Sequence, residues 1–191
     1  SNGYETMQFM ALCILLIACL LHRRFPFILP FGFLLSGFAL LVSYLGQMNP
    51  QITPLMPVLV SPWLSIHVSL IMMSYALLAF IMLNGILALC LRKKEPENNV
   101  SENDDRQDNR IEQLTLVSRL LLYPATFFLG AGIFLGAVWA NVSWGRYWAW
   151  DPKEVWALIT FLVYGAAFHS QSLRIFRKPL FFHIYMILAF L

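Results

Sequence analysis

Five of the chain's six tryptophans, Trp139, Trp144, Trp148, Trp150 and Trp156, fall within 18 residues, and the sixth, Trp63, stands four residues before His67. Tryptophan offers a large rigid face and a polar N–H at low entropy cost, so such a run can shelve a flat ligand. The plain alternative is an aromatic belt, but a belt populates both faces of a membrane. Here all six lie on one side of the apolar segments. Asp151, Pro152 and Glu154 have a simpler role as N-cap, first helical residue and N3 of a capping box. A helix N-terminus near Arg146 and Lys153 would also favour an anion such as a carboxylate. A flat ring bearing carboxylates would satisfy both the shelf and these charges.

The other residues with coordination chemistry are the four histidines, His22, His67, His169 and His183, all in or beside apolar runs. His67 lies about one turn below the tryptophan side; alone it reads as a polar residue reaching for water, and its shared side with the tryptophans makes it a binding candidate. His169 falls 13 residues past Trp156. In a continuous helix that is ~20 Å deep at 1.5 Å per residue, a depth at which an ionisable side chain is a functional candidate by default. His22, beside Arg23 and Arg24, reads as part of an interfacial basic cluster, and His183, one turn into the last run at nearly the depth of His169, as a local substitute for a partner histidine to His169. Cys13, Cys19 and Cys90 lie inside apolar runs as packing residues, with no metal or disulfide spacing. The chain has no CxxCH of its own.

The elements that must carry these groups are membrane helices. Of 191 residues, 59% are hydrophobic and 12% charged, with mean hydropathy +0.67. Those values exclude an ordinary soluble enzyme and exclude disorder. Apolar runs at 7–21, 25–45, 64–91, 119–138 and 155–173 predict five spans, and 180–191 predicts a sixth that stops short. The predicted fold class is an all-α polytopic helical bundle of about six transmembrane helices with the last one truncated, and the chain reads as a fragment. The segment before the first run lacks the basic start of a signal peptide.

Eleven of the 13 Lys and Arg lie on one side; only Arg146 and Lys153 fall on the other. The positive-inside rule puts the tryptophan segment, 139–156, outside. Residues 92–113 read as a charged, solvated cytoplasmic linker. The uncharged 46–62 segment, with four prolines, predicts an irregular outer segment. Gly132, Gly136 and Ala140 offer a small-residue face for close helix packing. The net charge of +3 comes from scattered residues and predicts no nucleic-acid partner.

The stretch Trp144-Gly145-Arg146-Tyr147-Trp148-Ala149-Trp150-Asp151 resembles the WWD signature, WGxxWxWD, of the haem-handling proteins of cytochrome c maturation. Pro152-Lys153-Glu154, Tyr164 with His169, and Ser61-Pro62-Trp63-Leu64-Ser65-Ile66-His67 are most similar to the CcsA/ResC branch (System II, often fused as CcsBA). The likeness runs over roughly residues 1–185 in order. CcmC and CcmF of System I share the signature and remain an alternative, as does a non-haem membrane transporter or scaffold.

The resemblance implies non-covalent b-type haem, with Trp139, Trp144, Arg146, Trp148, Trp150 and Asp151 around it. His67 would be one of two external axial ligands, the second lying beyond residue 191, and imidazole is the commonest protein ligand of haem iron. His169 matches one of two transmembrane histidines that take haem from the cytoplasmic side, its partner expected in a CcsB-like subunit or fused domain. Haem would be taken up at His169 and presented at His67 to an apocytochrome c whose CxxCH thiols add to its vinyl groups. The chain would then be part of a cytochrome c synthase rather than a self-contained enzyme, with no catalytic side chain of its own. Its place would be the bacterial inner (plasma) membrane, in contact with lipid, the WWD segment facing the periplasm.

Overall fold

The computed structural model describes residues 3–45, 61–92, 102–169 and 172–191; the proline-rich expectation at 46–60 lies outside them. They form six helices: α1 (Gly3–Leu21), α2 (Ile28–Leu45), α3 (Pro62–Arg92), α4 (Glu102–Trp144), α5 (Pro152–Ala166) and α6 (Pro179–Phe190). Helices α1 to α4 are long and apolar enough to cross a membrane, whereas α5 has 15 residues and α6 has 12. The chain is a polytopic helical membrane protein.

Local chemistry sets most boundaries. Proline opens α3, α5 and α6, where a missing N–H costs nothing. Asp151 and Glu154 close the expected capping box at the start of α5. Two boundaries differ from the sequence expectation. Helix α4 starts at Glu102, so the second half of the segment read as a solvated linker is helix. Several of its polar residues, Asn103, Asp104, Asp105, Asp108 and Asn109, are weak helix formers, but continuity with the apolar run spares them a new nucleus. Helix α5 stops at Ala166 instead of running to residue 173. There Ala167, Phe168 and His169 each donate an N–H three residues back, tightening the last turn. The chain then reverses through a 3-10 turn, Arg174–Arg177, into α6.

The bundle is built on antiparallel packing of α3 against α4. Ala76 to Ile81 of α3 are buried with Val117, Leu121, Leu122 and Ala125 of α4, and α1 and α6 add Ile14, Ala18, Phe182 and Met186. Lipid is as apolar as leucine, so close packing and interhelical hydrogen bonds hold such helices together rather than water exclusion. Ser74 Oγ donates to the Ala125 carbonyl at 2.8 Å, and Asn84 Nδ2 to Ser118 Oγ at 3.3 Å. Arg119 ties α4 to the 3-10 turn, donating to the Phe176 carbonyl at 2.8 Å, with its guanidinium 5.2 Å from the Phe182 ring centroid. The outward faces carry Leu16, Leu20, Phe33, Phe38, Phe127 and Phe134, as a lipid-facing surface requires.

Candidate haem-binding site

The tops of α3 and α4 and the segment joining α4 to α5 enclose a recess of about 210 Å³. His67 lines it together with Trp139, Tyr147, Trp148, Asp151, Lys153 and Glu154. His67 Nδ1 lies 2.7 Å from the Gly132 carbonyl oxygen. A carbonyl can only accept, so Nδ1 carries the proton and the neutral ring keeps its lone pair on Nε2. Metal-ligating histidines are commonly oriented this way, the second nitrogen donating to a carbonyl or carboxylate.

The tryptophans divide. Trp139 and Trp148 enter the recess, and both indole Nε1–H groups are buried without a partner among the described residues. A buried unmet donor costs ~1–3 kcal/mol, and neither N–H opens onto the recess as it stands, so an acceptor there would reach them only after the rings turn. Trp144 and Trp150 are 60% and 73% exposed and pack edge-on against Trp139 and Trp148, with centroids 6.4 and 6.1 Å apart. Arg146 is exposed and outside the recess lining, while Trp63 and Trp156 also face outward.

The connecting segment is bent into this shape at a cost. Gly145 turns with φ +72°, and Trp150 has φ +58°, a left-handed conformation that costs a non-glycine residue about 1–3 kcal/mol. Glu154 Oε2 compensates by accepting the N–H of Ala149 at 2.8 Å and of Asp151 at 3.3 Å. The carboxylates at the start of α5 are therefore used by the chain's own backbone. That favours the capping role of Asp151 over the anion-site alternative. Asp151→Asn, which keeps a good cap, should change stability by only a few tenths of a kcal/mol, and Asp151→Ala should cost about 1 kcal/mol. Thermal unfolding in detergent measures both, and equal losses would show that charge, not capping, is what matters.

His169 is in a different place from that expected. Because α5 ends at Ala166, it sits in the turn beyond the helix, exposed, rather than on a continuous span. It lines an apolar cavity of about 770 Å³ with Tyr123, Phe127, Phe161, Leu162 and Phe168. That is within the ~300–1,000 Å³ of ordinary ligand pockets. Its Nδ1 lies 3.3 Å from the Gly165 carbonyl, again leaving Nε2 free. The cavity and the recess are at opposite ends of α5, which at 15 residues is roughly 22 Å long.

The remaining histidines do other work. His22 Nδ1 donates to the Cys19 carbonyl at 2.7 Å beyond α1, with no cavity before it among those described. His183 is 1% exposed. Thr115 Oγ1 donates to the Ile111 carbonyl at 2.8 Å, so it must accept from His183 Nε2–H at 2.9 Å. His183 thus joins α6 to α4 and does not line the His169 cavity. Sequence reasoning missed Tyr147, which the tryptophan count passed over, and the contact of Gly132 and Gly136 with His67, hidden behind a motif that reads as helix packing.

The recess has two features that suit part of a haem: His67 presents Nε2 without a hydrogen bond, and the wall is aromatic; at about 210 Å³ it does not enclose a whole macrocycle.

The family model for cytochrome C assembly protein matches residues 1–191. Protein NrfI of Wolinella succinogenes is 38% identical over 174 residues, covering 91% of this chain and 19% of that protein. Cytochrome c biogenesis protein CcsA of Chlamydomonas reinhardtii is 36% identical over 178 residues, covering 90% of the chain and 49% of that protein. CcsA of Synechococcus sp. (strain CC9902) is 35% identical over 200 residues, covering 91% and 65%. The chain spans less than two thirds of each of these three relatives.

Proposed function

Because the chain belongs to the cytochrome c assembly protein family, we propose that it binds haem and presents it for attachment to apocytochrome c. Its likeness to CcsA and NrfI supports the System II branch over CcmC and CcmF. The observation that carries this reading is His67 with Nδ1–H held by Gly132 and Nε2 bare, in one recess with two unpartnered indole donors.

Haem, when bound, supplies the iron that takes the imidazole and the vinyl groups to which the thiols of a CxxCH peptide add. His67 Nε2 would hold the iron. Lys153 would hold the haem's carboxylates, and Trp139 and Trp148 would give it ring faces and, once turned, their N–H groups. The recess is smaller than a pocket for a whole ligand, so the exposed rings of Trp144 and Trp150 cover what projects from it. His169 and its apolar cavity serve as a second site at the arginine-rich end of the bundle. The distribution of Lys and Arg supports a plasma-membrane orientation with the recess outside. Each site would take a second iron ligand, and the likeness to CcsA supports a CcsB-like partner.

Trp148→Phe tests the reading in the full-length protein, because it keeps an aromatic ring and removes only the donor and some area. A hydrogen bond to a charged group is worth ~1.5–3 kcal/mol, so haem affinity should fall roughly tenfold or more. Trp139→Phe should act alike, and Trp156→Phe should leave the Soret spectrum and haem content unchanged. Equal haem retention in all three would reduce the tryptophans to anchors.

A further inference from the structure

We propose that Gly132 and Gly136 are positioning residues for His67, setting which ring nitrogen is free and where it points. The proposal rests on the reading of His67 as an axial ligand. A GxxxG pair is ordinarily a place where two helices approach closely. At this pair the two glycines meet different partners. A Cβ added at Gly132 would stand 2.7 Å from Ile71 Cδ1 and 3.0 Å from its Cγ1, the movable end of a packing side chain. A Cβ added at Gly136 would stand 2.7 Å from His67 Cε1, 2.8 Å from Nδ1 and 3.4 Å from Nε2. Those three atoms are the edge of the ring that carries both nitrogens.

The four-residue spacing brings the Gly132 carbonyl and the bare Cα of Gly136 against the same ring. In an α-helix every Cα–Cβ bond leans toward the N-terminus, so a side chain at 136 would point toward the turn that carries the Gly132 carbonyl. The imidazole lies where that side chain would stand, so in this pose it reaches the Gly132 carbonyl only while residue 136 has none. The imidazole occupies that gap and gives its Nδ1–H to the Gly132 oxygen at 2.7 Å. The oxygen has a second lone pair, so this bond coexists with the helical one from the Gly136 N–H. One glycine bares the acceptor and the other is the acceptor. The resulting bond locks the tautomer that leaves Nε2 for iron and makes the imidazole a better donor. A methyl at 136 pushes on the nitrogen edge, breaks the bond to Gly132 and misaims Nε2.

The experiment uses full-length protein and compares Gly136→Ala with Gly130→Ala. The second inserts the same methyl into the same helix, 2.9 Å from Phe161 Cε2 and away from His67. Haem content, the Soret band and the electron paramagnetic resonance of histidine-ligated haem are read with and without added imidazole. Gly136→Ala should lose histidine ligation and weaken haem binding by roughly 10–100-fold, as outer-shell changes do, and imidazole should restore the spectrum. Gly130→Ala, whose methyl meets Phe161 of the His169 cavity, should keep histidine ligation at the tryptophan end when haem is supplied directly, whatever its stability. A wild-type spectrum in Gly136→Ala, or a defect that matches Gly130→Ala and ignores imidazole, overturns the proposal.

A haem-free measurement separates this failure from that of the haem reading. Nitrogen NMR of His67 should show the Nδ1–H tautomer in the wild type and lose it in Gly136→Ala. If His67→Ala retains full haem while that tautomer result holds, the ligand role falls and the positioning geometry stands; an unchanged tautomer in Gly136→Ala overturns the positioning. Should Gly136→Ala not accumulate, His67→Ala/Gly136→Ala, which gives the methyl its room, should accumulate like His67→Ala. Failure of that double variant as well would show that the methyl acts on the fold and not through His67.

Discussion

His67→Ala in the full-length protein is expected to lose haem from the tryptophan-end site, with a blue-shifted or absent Soret contribution and a collapse of cytochrome c maturation. The change removes the imidazole itself, so the loss should exceed the roughly 10–100-fold that outer-shell substitutions cost a metal site. Its effect on the fold should be small by comparison. The Gly132 carbonyl keeps its helical bond when Nδ1–H is removed, and one hydrogen bond between helices contributes about 0.6–2 kcal/mol in a membrane. The hole left beside Gly136 is the size of the lost ring, and exogenous imidazole should enter it and restore much of the spectrum and activity. A variant that folds, keeps the wild-type haem spectrum and matures cytochrome c normally would make His67 an interhelical packing residue and nothing more.

His169→Ala is expected to have the wider effect, emptying both sites where His67→Ala empties one. The recess beside His67 and the cavity beside His169 are lined from opposite ends of α5, a helix roughly 22 Å long. The expectation is of two sites in series, the cavity beside His169 loading the recess beside His67. Haem content of the two full-length variants, measured side by side, should be lower in His169→Ala, while His67→Ala should hold haem at the inner site. The structure sharpens this expectation. His169 stands exposed in the turn after Ala166 at the edge of an apolar cavity of about 770 Å³, open to a ligand arriving from the lipid. Among the described residues its ring nitrogens meet only the Gly165 carbonyl at the end of α5, so haem depletion in His169→Ala should not be accompanied by loss of thermal stability. A fully loaded outer site in His169→Ala would mean that the recess fills by another route.

Both expectations draw on residues already conspicuous in the sequence, and the difference between what could and could not be read there is physical. Helix identity was legible because a membrane span is set by a run of apolar residues, a property of the segment alone. The capping box at Asp151 and Glu154 was legible because its partners are three residues apart. The clustering of tryptophans was legible because it is a matter of spacing along one strand of chain. Where α5 ends was not, because Phe168 continues an apolar pattern and only the return of the chain through Arg174–Arg177 decides that it turns. Nor was the start of α4 at Glu102, since charged residues extend a helix when an adjoining packed segment has already nucleated it.

Inside the site the division is finer. Composition chose tryptophan for the 139–156 segment, but the backbone path through Gly145 and Trp150 sends Trp139 and Trp148 inward and leaves Trp144 and Trp150 on the surface. The four-residue interval between Gly132 and Gly136 was visible as spacing, while its meeting with an imidazole 65 positions earlier depended on the register of α3 against α4. That register is set by the packing of Ala76 to Ile81 and by hydrogen bonds such as Ser74 to Ala125. Sequence determined which groups were available for binding; the antiparallel α3–α4 contact decided which of them face one another, because side-chain direction across an interface depends on the register of both helices and local pattern sets only one helix at a time.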